Sequence, residues 1–371
     1  MITISLCMIV RDEEKVLSRI LGQMQEIADE IIIVDTGSED RTKEIAEGFH
    51  ARIFDFPWIG DFSAARNFAC EKARMDYWMW LDADDVITES NRQRLIQLKQ
   101  TLEPETDVVM MKYLTGFDEY GNVSFSYYRE RLIKNNRGFF WKGKVHEAVE
   151  PAGKIQYIPI EIEHRKIAAG DPDRNLNIYE AMIQNGEALE PRHLFYYGRE
   201  LYYHQKYERA AEIFQEFLQS EGGWMENKID ACLQLSYCYE KFLKKPKRLE
   251  VLFYSFIFDE PRAEICCEIG RIFIEQKKYN QAVYWYRQAL NARRNPDNGA
   301  FMQQDCYDYI PNIQLCVCYD RLGRYEEAFK YHEKSMKIKP DAREVQLNIS
   351  YFDKLKMSGK LKGISGIKMH K

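Results

Sequence analysis

The sequence predicts an α/β domain over residues 1–173, an all-α array of helical repeats over 174–345, and a basic tail over 346–371. Three observations carry that division. Short apolar runs alternate with amphipathic helical stretches in the first half, as in a mostly parallel sheet covered by helices. From about Leu176 onward the pattern is purely helical and self-similar, with Ser236 and Gly270 in matching contexts 34 residues apart. At 371 residues the chain exceeds one typical domain, so two cores or one core plus a repeat array are expected.

Ile2 to Val10 reads as the first strand, and Glu13 to Ile27 as a helix with Leu17, Ile20, Leu21 and Met24 on one face. Glu30 to Asp35 is the second strand. A turn at Thr36-Gly37-Ser38 leads to a helix over Asp40 to Phe49, a strand over Ala51 to Phe56, a helix over Phe62 to Ala73 and a strand over Tyr77 to Leu81. Asp35 and Asp82 therefore fall at carboxyl ends of strands, where open α/β sheets bind their ligands. Strands are expected at Asp107 to Leu114 and Ser124 to Ile133, followed by the Asn135-Asn-Arg-Gly138 turn and the aromatic Phe139-Phe-Trp141. A further strand pair flanks Pro151-Ala-Gly153 and ends near His164, and the Gly170-Asp-Pro-Asp173 turn closes the domain.

Downstream, Gln205-Lys-Tyr-Glu-Arg-Ala-Ala211, Gln276-Lys-Lys-Tyr-Asn-Gln-Ala282 and Leu322-Gly-Arg-Tyr-Glu-Glu-Ala328 each place a Tyr three residues before an Ala. A fourth copy around Tyr237 to Phe253 is degenerate, and Pro340-Asp341 stands where a terminating proline belongs. These stretches resemble the tetratricopeptide repeat family over roughly residues 190 to 345, which implies stacked helical hairpins with a concave face for a peptide or protein partner.

The formal charge of −5, from 53 basic and 58 acidic side chains, gives no general drive toward nucleic acid or anionic membrane. Lys354 to Lys371 is locally basic and reads as a frayed, solvated tail. The nine cysteines lack zinc-ligand spacing and read as buried free thiols in a reducing compartment. The N-terminus carries no secretory pattern and no window approaches 18 uninterrupted apolar residues, so a cytoplasmic protein without a transmembrane segment is expected.

Trp78-Met-Trp-Leu-Asp-Ala-Asp-Asp85 delivers three carboxylates within four positions at a strand end. Hard cations such as Mg²⁺ or Mn²⁺ bind through one or two carboxylates plus substrate phosphates. Alone, the same acidic stretch also fits a solvated turn or a helix cap. Cys7-Met-Ile-Val-Arg-Asp-Glu-Glu14, Ile33-Val-Asp-Thr-Gly-Ser-Glu-Asp-Arg-Thr42 and Asp82-Ala-Asp84 occur in that order, and together they resemble the family 2 glycosyltransferases.

That resemblance implies the GT-A fold, a Rossmann-like nucleotide-diphospho-sugar transferase domain. It implies that Val10 and Arg11 line the nucleotide pocket, that Asp35 binds base or ribose, that Asp82 contacts ribose or metal, and that Asp84 ligates Mg²⁺ or Mn²⁺ directly. Asp61-Phe-Ser-Ala-Ala-Arg-Asn67 is similar to a segment of the bacteriocin S-glycosyltransferases; Arg66 there offers its planar fork to the diphosphate or a nearby carboxylate, or else makes a surface ion pair. Gly143-Lys-Val-His-Glu147 resembles the family's glycine loop and acceptor-side acidic motif, although Ala148 stands where an Asp is usual. Glu147 is thus the candidate general base, with a structural salt bridge as its plainer use.

His164 resembles the histidine that completes metal binding, and His146 competes for that role or lines the acceptor cleft with Trp141. For a lone histidine, packing or hydrogen bonding is the commoner use. Trp58, Trp141 and Tyr128 are candidates for stacking on a sugar face, against the usual core role of aromatics. The expected activity is an inverting, metal-dependent transfer of a hexose from a UDP-sugar to a Cys or Ser of a peptide or protein. A cell-envelope glycan or lipopolysaccharide-core acceptor, and an inactive repeat scaffold, are the alternatives. A homodimer through the repeats is also an expectation.

Overall fold

The computed structural model describes residues 1–117, 121, 123–165, 167, 171–242, 245–294 and 302–361. The chain forms two compact units, one built on Met1–Gly223 and the other on Trp224–Asn295 with Met302–Lys371.

In the first unit the elements run β1 (Ile4–Val10), α1 (Leu17–Met24), β2 (Glu30–Asp35), α2 (Thr42–Gly48), β3 (Arg52–Asp55), α3 (Phe62–Glu71) and β4 (Tyr77–Trp80). There follow β5 (Asp85–Val86), α4 (Glu89–Thr101), β6 (Val108–Phe117), β7 (Val123–Lys134), β8 (Trp141–Lys142), β9 (Ala148–Val149) and β10 (Ile155–His164). Helices α5 (Arg174–Gln184), α6 (Pro191–Tyr203) and α7 (Tyr207–Gln219) complete it.

The sheet order is β3-β2-β1-β4-β7-β6-β10-β5. Strands β1 to β4 are mutually parallel, β7 runs antiparallel between β4 and β6, and β10 lies parallel to β6. Side chains alternate between two cores with the period of a strand. Ile4, Leu6, Met8 and Val10 of β1 join α1 residues Leu17, Ile20, Leu21 and Met24 on one face. Cys7 faces the other way, toward Ala69 of α3 and Trp78 and Trp80 of β4. A strand buried on both faces is the mark of a sheet covered by helices on both sides.

Helix α1 begins later than the apolar spacing suggests, because the chain just before it is tied elsewhere. The Glu13 amide donates to the Thr42 hydroxyl at 2.7 Å and the Glu14 amide to Asp40 at 3.0 Å. The strands on either side of Pro151 do not pair with each other: β9 pairs with β8, and β10 pairs with β6 and β5.

The boundary expected at residue 173 falls inside the first unit, since α5 to α7 cluster with the sheet domain through Gly223. Lys144 pairs with Glu187 and His146 with Glu200 across that expected boundary. The tail expected from residue 346 is instead helical through Met357, because Phe352 and Leu355 bury an apolar stripe; residues 362–371 lie outside the described residues. Gly170 of the expected closing turn also lies outside them.

The second unit contains α8 (Met225–Lys241), α9 (Lys245–Tyr254), α10 (Ala263–Glu275), α11 (Tyr279–Asn291), α12 (Tyr309–Arg321), α13 (Tyr325–Ile338) and α14 (Arg343–Met357). Tyr279 and Tyr325 of the repeated motif are the first residues of α11 and α13, as Tyr207 is of α7. Two positions earlier the backbone turns left-handed, at Gln205 (φ 60°), Lys277 (φ 58°) and Gly323 (φ 74°). The three motif alanines, Ala210, Ala282 and Ala328, are fully buried.

Two of the hairpins need a small residue where a ring crosses them. A Cβ on Gly270 would come within 2.8 Å of Tyr286, and one on Gly198 within 2.7 Å of Phe214. In the last hairpin Cys316 and His332 take these places, and the His332 ring stacks on Phe352 at 5.1 Å. All nine cysteines are free thiols, and no described helix is long and apolar enough to cross a membrane.

Candidate active site

The carboxyl ends of β1, β2 and β4 meet at one edge of the sheet. Val10 and Asp35 are register partners at the ends of β1 and β2. The Thr36 amide and hydroxyl both donate to the Val10 carbonyl, at 2.9 and 3.1 Å, which locks the strand end. Asp35 is 1% exposed; its Oδ1 accepts from the Gly37 and Ser38 amides at 3.0 and 2.9 Å, closing the turn. Its Oδ2 is buried and lacks a hydrogen-bond partner. A buried acceptor left open costs on the order of 1–3 kcal/mol, so it marks a place where a ligand donor fits. Arg11 is exposed and lies 3.8 Å from Asp12.

Arg66 bridges Asp82 and Glu147. It rides on α3, whose first turn is capped by Asp61 accepting from the Ala64 amide at 2.9 Å. Its Nη2 donates to Asp82 Oδ1 at 2.8 Å and its Nε to Glu147 Oε1 at 2.6 Å. The guanidinium lies over the rings of Trp80 and Trp141, at 4.9 and 5.0 Å, and is nearly buried. This is no surface ion pair. Burial opposes ionisation of Asp82, but the charges of Arg66 and then Arg131 overcome it and hold the carboxyl at about 2.

Asp84, Asp85 and His164 place one ligand atom each within 4.8 Å of one another. His164 Nδ1 lies 3.2 Å from Asp84 Oδ1, 3.6 Å from Asp85 Oδ1 and 3.0 Å from the Tyr113 hydroxyl. Burial would lower the imidazole pKa; the bonds to Asp84 and Asp85 outweigh it and lift it to about 10. The acids thus hold a positive charge between them, and a mixed carboxylate and imidazole set of this kind fits Mn²⁺ or Mg²⁺. Asp82 is not in this cluster, since Arg66 engages it.

Glu147 sits in the loop between β8 and β9, with its side chain 12% exposed. Oε1 takes the Arg66 bond, and Oε2 has no hydrogen-bond partner among the described residues. His146 points away, toward α6: its Nε2 meets Glu200 Oε1 at 2.8 Å and its ring stacks on Tyr196 at 4.3 Å. These contacts turn its ring toward α6. Trp141 is 2% exposed and packs against Arg66, Trp78 and Trp80. Trp58 and Tyr128 are half-buried, against Phe62 and Tyr157 respectively.

Sequence reasoning missed a supporting layer. Asp85 is fully buried; it accepts from the Asp82 amide at 3.0 Å, Tyr113 at 2.8 Å and Arg131 at 3.1 Å, fixing the loop that carries Asp82 and Asp84. Arg131 lies 3.7 Å over the Trp80 ring, and Arg129 lies 4.8 Å from it. Arg19 of α1 donates to the Asp84 carbonyl at 2.9 Å. Glu13 was part of the quoted motif without a role; burial, then the charges of Asp84 and Asp82, push it up to about 7. The only sequence signal for this layer was the Arg-Glu-Arg run at 129–131 inside a strand, where charge is rare.

Residues 5–152 match the glycosyl transferase family 2 model, and residues 263–296 and 314–342 match the tetratricopeptide repeat. A TPR repeat-containing protein of Synechococcus elongatus is 37% identical over 151 residues, 40% of this chain and 36% of that protein. The SPbeta prophage-derived glycosyltransferase SunS of Bacillus subtilis is 28% identical over 256 residues, 63% of this chain and 58% of that protein. The lipopolysaccharide core biosynthesis glycosyltransferase LpsC of Rhizobium meliloti is 27% identical over 160 residues, 41% of this chain and 58% of that protein. The chain thus spans 36% to 58% of these relatives' lengths. Among solved structures, glucosyl-3-phosphoglycerate synthase from Mycobacterium tuberculosis aligns at 19% identity over 30% of this chain and 44% of that one, with a TM-score of 0.27, a likeness too slight to bear on function. Residues 5–152 form a family 2 glycosyltransferase domain with the sheet of the GT-A fold, and tetratricopeptide repeats follow it in the chain.

Proposed function

We propose that the chain is an inverting, metal-dependent hexosyltransferase that moves a sugar from a UDP-sugar to a Cys or Ser side chain of a peptide or protein. The observation that carries this reading is the Asp82–Arg66–Glu147 bridge beside the Asp84, Asp85 and His164 donors. An inverting transfer needs a leaving-group site on one side of the anomeric carbon and a base on the other. Arg66 sets the spacing between the two sides by bonding to a carboxylate of each.

Asp84 and His164 would hold Mg²⁺ or Mn²⁺, with Asp85 supporting them. Such an ion supplies positive charge against the departing diphosphate. Val10 and Asp35 would bind the nucleotide, Asp35 through its open Oδ2. Glu147 would take the acceptor's proton on Oε2 while Oε1 stays on Arg66. A thiol acceptor asks less of that base, since a minor thiolate fraction is already nucleophilic.

The peptide acceptor is supported by the repeats, because helical arrays of this kind bind peptides, and by the match to SunS. A lipopolysaccharide-core acceptor is the second reading, favoured by the match to LpsC. The presence of Asp84, His164 and Glu147 argues against an inactive scaffold. A cytoplasmic setting fits nine free thiols. Self-association through the repeats completes the proposal, and sedimentation of the full chain as a monomer at all concentrations would remove it.

The test is an intact-mass screen of UDP-sugars with Mn²⁺ against peptides encoded beside this gene and against lipopolysaccharide-core oligosaccharides. A one-hexose gain on a peptide is expected. Transfer only to the oligosaccharide would overturn the acceptor assignment.

A further inference from the structure

Regular structure alone does not place Glu147. The loop that carries it hangs from a two-pair ladder, Trp141 with Val149 and Lys142 with Ala148. Two residues in it are left-handed, Gly143 at φ 97° and His146 at φ 51°. A non-glycine residue in that region costs on the order of 1–3 kcal/mol and persists only where its surroundings hold it.

Helix α6 does the holding. The His146 ring stacks on Tyr196 at 4.3 Å and 11°, and its Nε2 bonds to the nearly buried Glu200 at 2.8 Å. The His146 carbonyl accepts from both Nε and Nη2 of Arg192 at 3.1 Å. Gly143 lies so close that a Cβ there would be 2.7 Å from the His193 ring. None of these α6 residues falls within the 5–152 transferase match.

We infer that α6 is a working part of the transferase site, with Glu200 as a positioning residue that acts through His146 to set the Glu147 carboxylate. This rests on the transferase reading. Arg66 fixes the Glu147 side chain, and α6 fixes the residue before it, whose carbonyl Arg192 holds, so the carboxylate is set from two directions.

The experiment uses the full chain, UDP-glucose, UDP-galactose and UDP-N-acetylglucosamine with Mn²⁺, and reads nucleotide release to water. It also follows amide exchange in the 143–147 segment. Glu200→Ala should lower kcat roughly 10- to 100-fold, the scale of a misplaced catalytic group, with KM for the donor unchanged. Glu200→Gln, which keeps an oxygen for the His146 N–H, should restore kcat. In the Glu147→Gln background Glu200→Ala should add no further loss, and exchange at 143–147 should rise while that at 82–85 stays as in the parent. Arg192→Met, which removes the carbonyl bonds, gives a second variant with the same expected pattern. Additive losses with Glu147→Gln, or unchanged exchange in an active parent background, would overturn the positioning role. A parent chain that releases nucleotide from none of the three donors would sink the transferase reading itself.

Discussion

Around Trp80 in the first unit, three guanidiniums crowd one ring: Arg131 at 3.7 Å, Arg129 at 4.8 Å and Arg66 at 4.9 Å. Their charge is met by Asp82, Asp85, Glu130 and Glu147. Around Tyr286 in the second unit packing dominates: the ring is seated where Gly270 leaves room, and Ala282 and Ala289 are fully buried. Close apolar packing is the cheaper way to hold helices, whereas burying paired charges is costly and often no more stabilising than apolar replacements. The second unit also pairs charge away from this ring, where Arg248 meets Glu268 and Glu275 and Arg271 meets Glu240, so the contrast is between these two rings and their surroundings.

Two acids sharpen the contrast. Asp82, paired with Arg66, titrates at about 2, whereas Glu264 in the second unit is pushed up to about 7 by burial, which its bonds from the Gln303 amide and Tyr307 hydroxyl do not offset. The stability from Asp82 is present above its ordinary value of 3.8 and lost as pH falls toward 2. That from Glu264 is present below 4.5 and lost as pH rises through about 7.

The comparison can be broken most forcefully at Arg66. Arg66→Ala strands Asp82 and Glu147 beside an emptied space, so a loss of about 3–5 kcal/mol in denaturant unfolding is expected, together with loss of turnover. Gly270→Ala drives a methyl into Tyr286 and should cost about 1–3 kcal/mol, with turnover unaffected. Asp61→Ala removes the α3 cap and should cost about 1 kcal/mol in the same assay. Glu264→Gln should raise the melting temperature of the second unit above pH 7 and leave it unchanged below about pH 4.5. A Gly270→Ala chain as stable as the parent, or a Glu264→Gln effect that grows toward acid, would dissolve the contrast between the two regions.

The same contrast explains what could be read from the sequence. Strand β2 and the starts of α7, α11 and α13 follow from local periodicity and turn chemistry, which are written within a few residues. The order of the acidic motifs located the edge where Asp35, Asp82 and Asp84 gather. Helix α4 was missed because its pattern is mostly polar, with only Leu95 and Leu98 as buried apolar anchors. The parts of Asp85, Tyr113 and Arg131 were illegible because the bonds that join them link distant residues: Tyr113 and Asp85 are 28 apart, and Arg131 and Asp85 are 46 apart. The contacts of Trp141 with Arg66 and of His146 with Tyr196 were likewise unreadable, since each joins residues far apart in the chain.

The central claim is that Asp84 and its neighbours bind a cation that the transfer requires. Nucleotide release from UDP-hexoses, measured with Mn²⁺ and with chelator for the parent chain and for Asp84→Ala, tests it most directly. The account predicts Mn²⁺-dependent release by the parent and none above background by Asp84→Ala, with the two chains equally folded. Equal release by both chains, or release by the parent that persists in chelator, would contradict it.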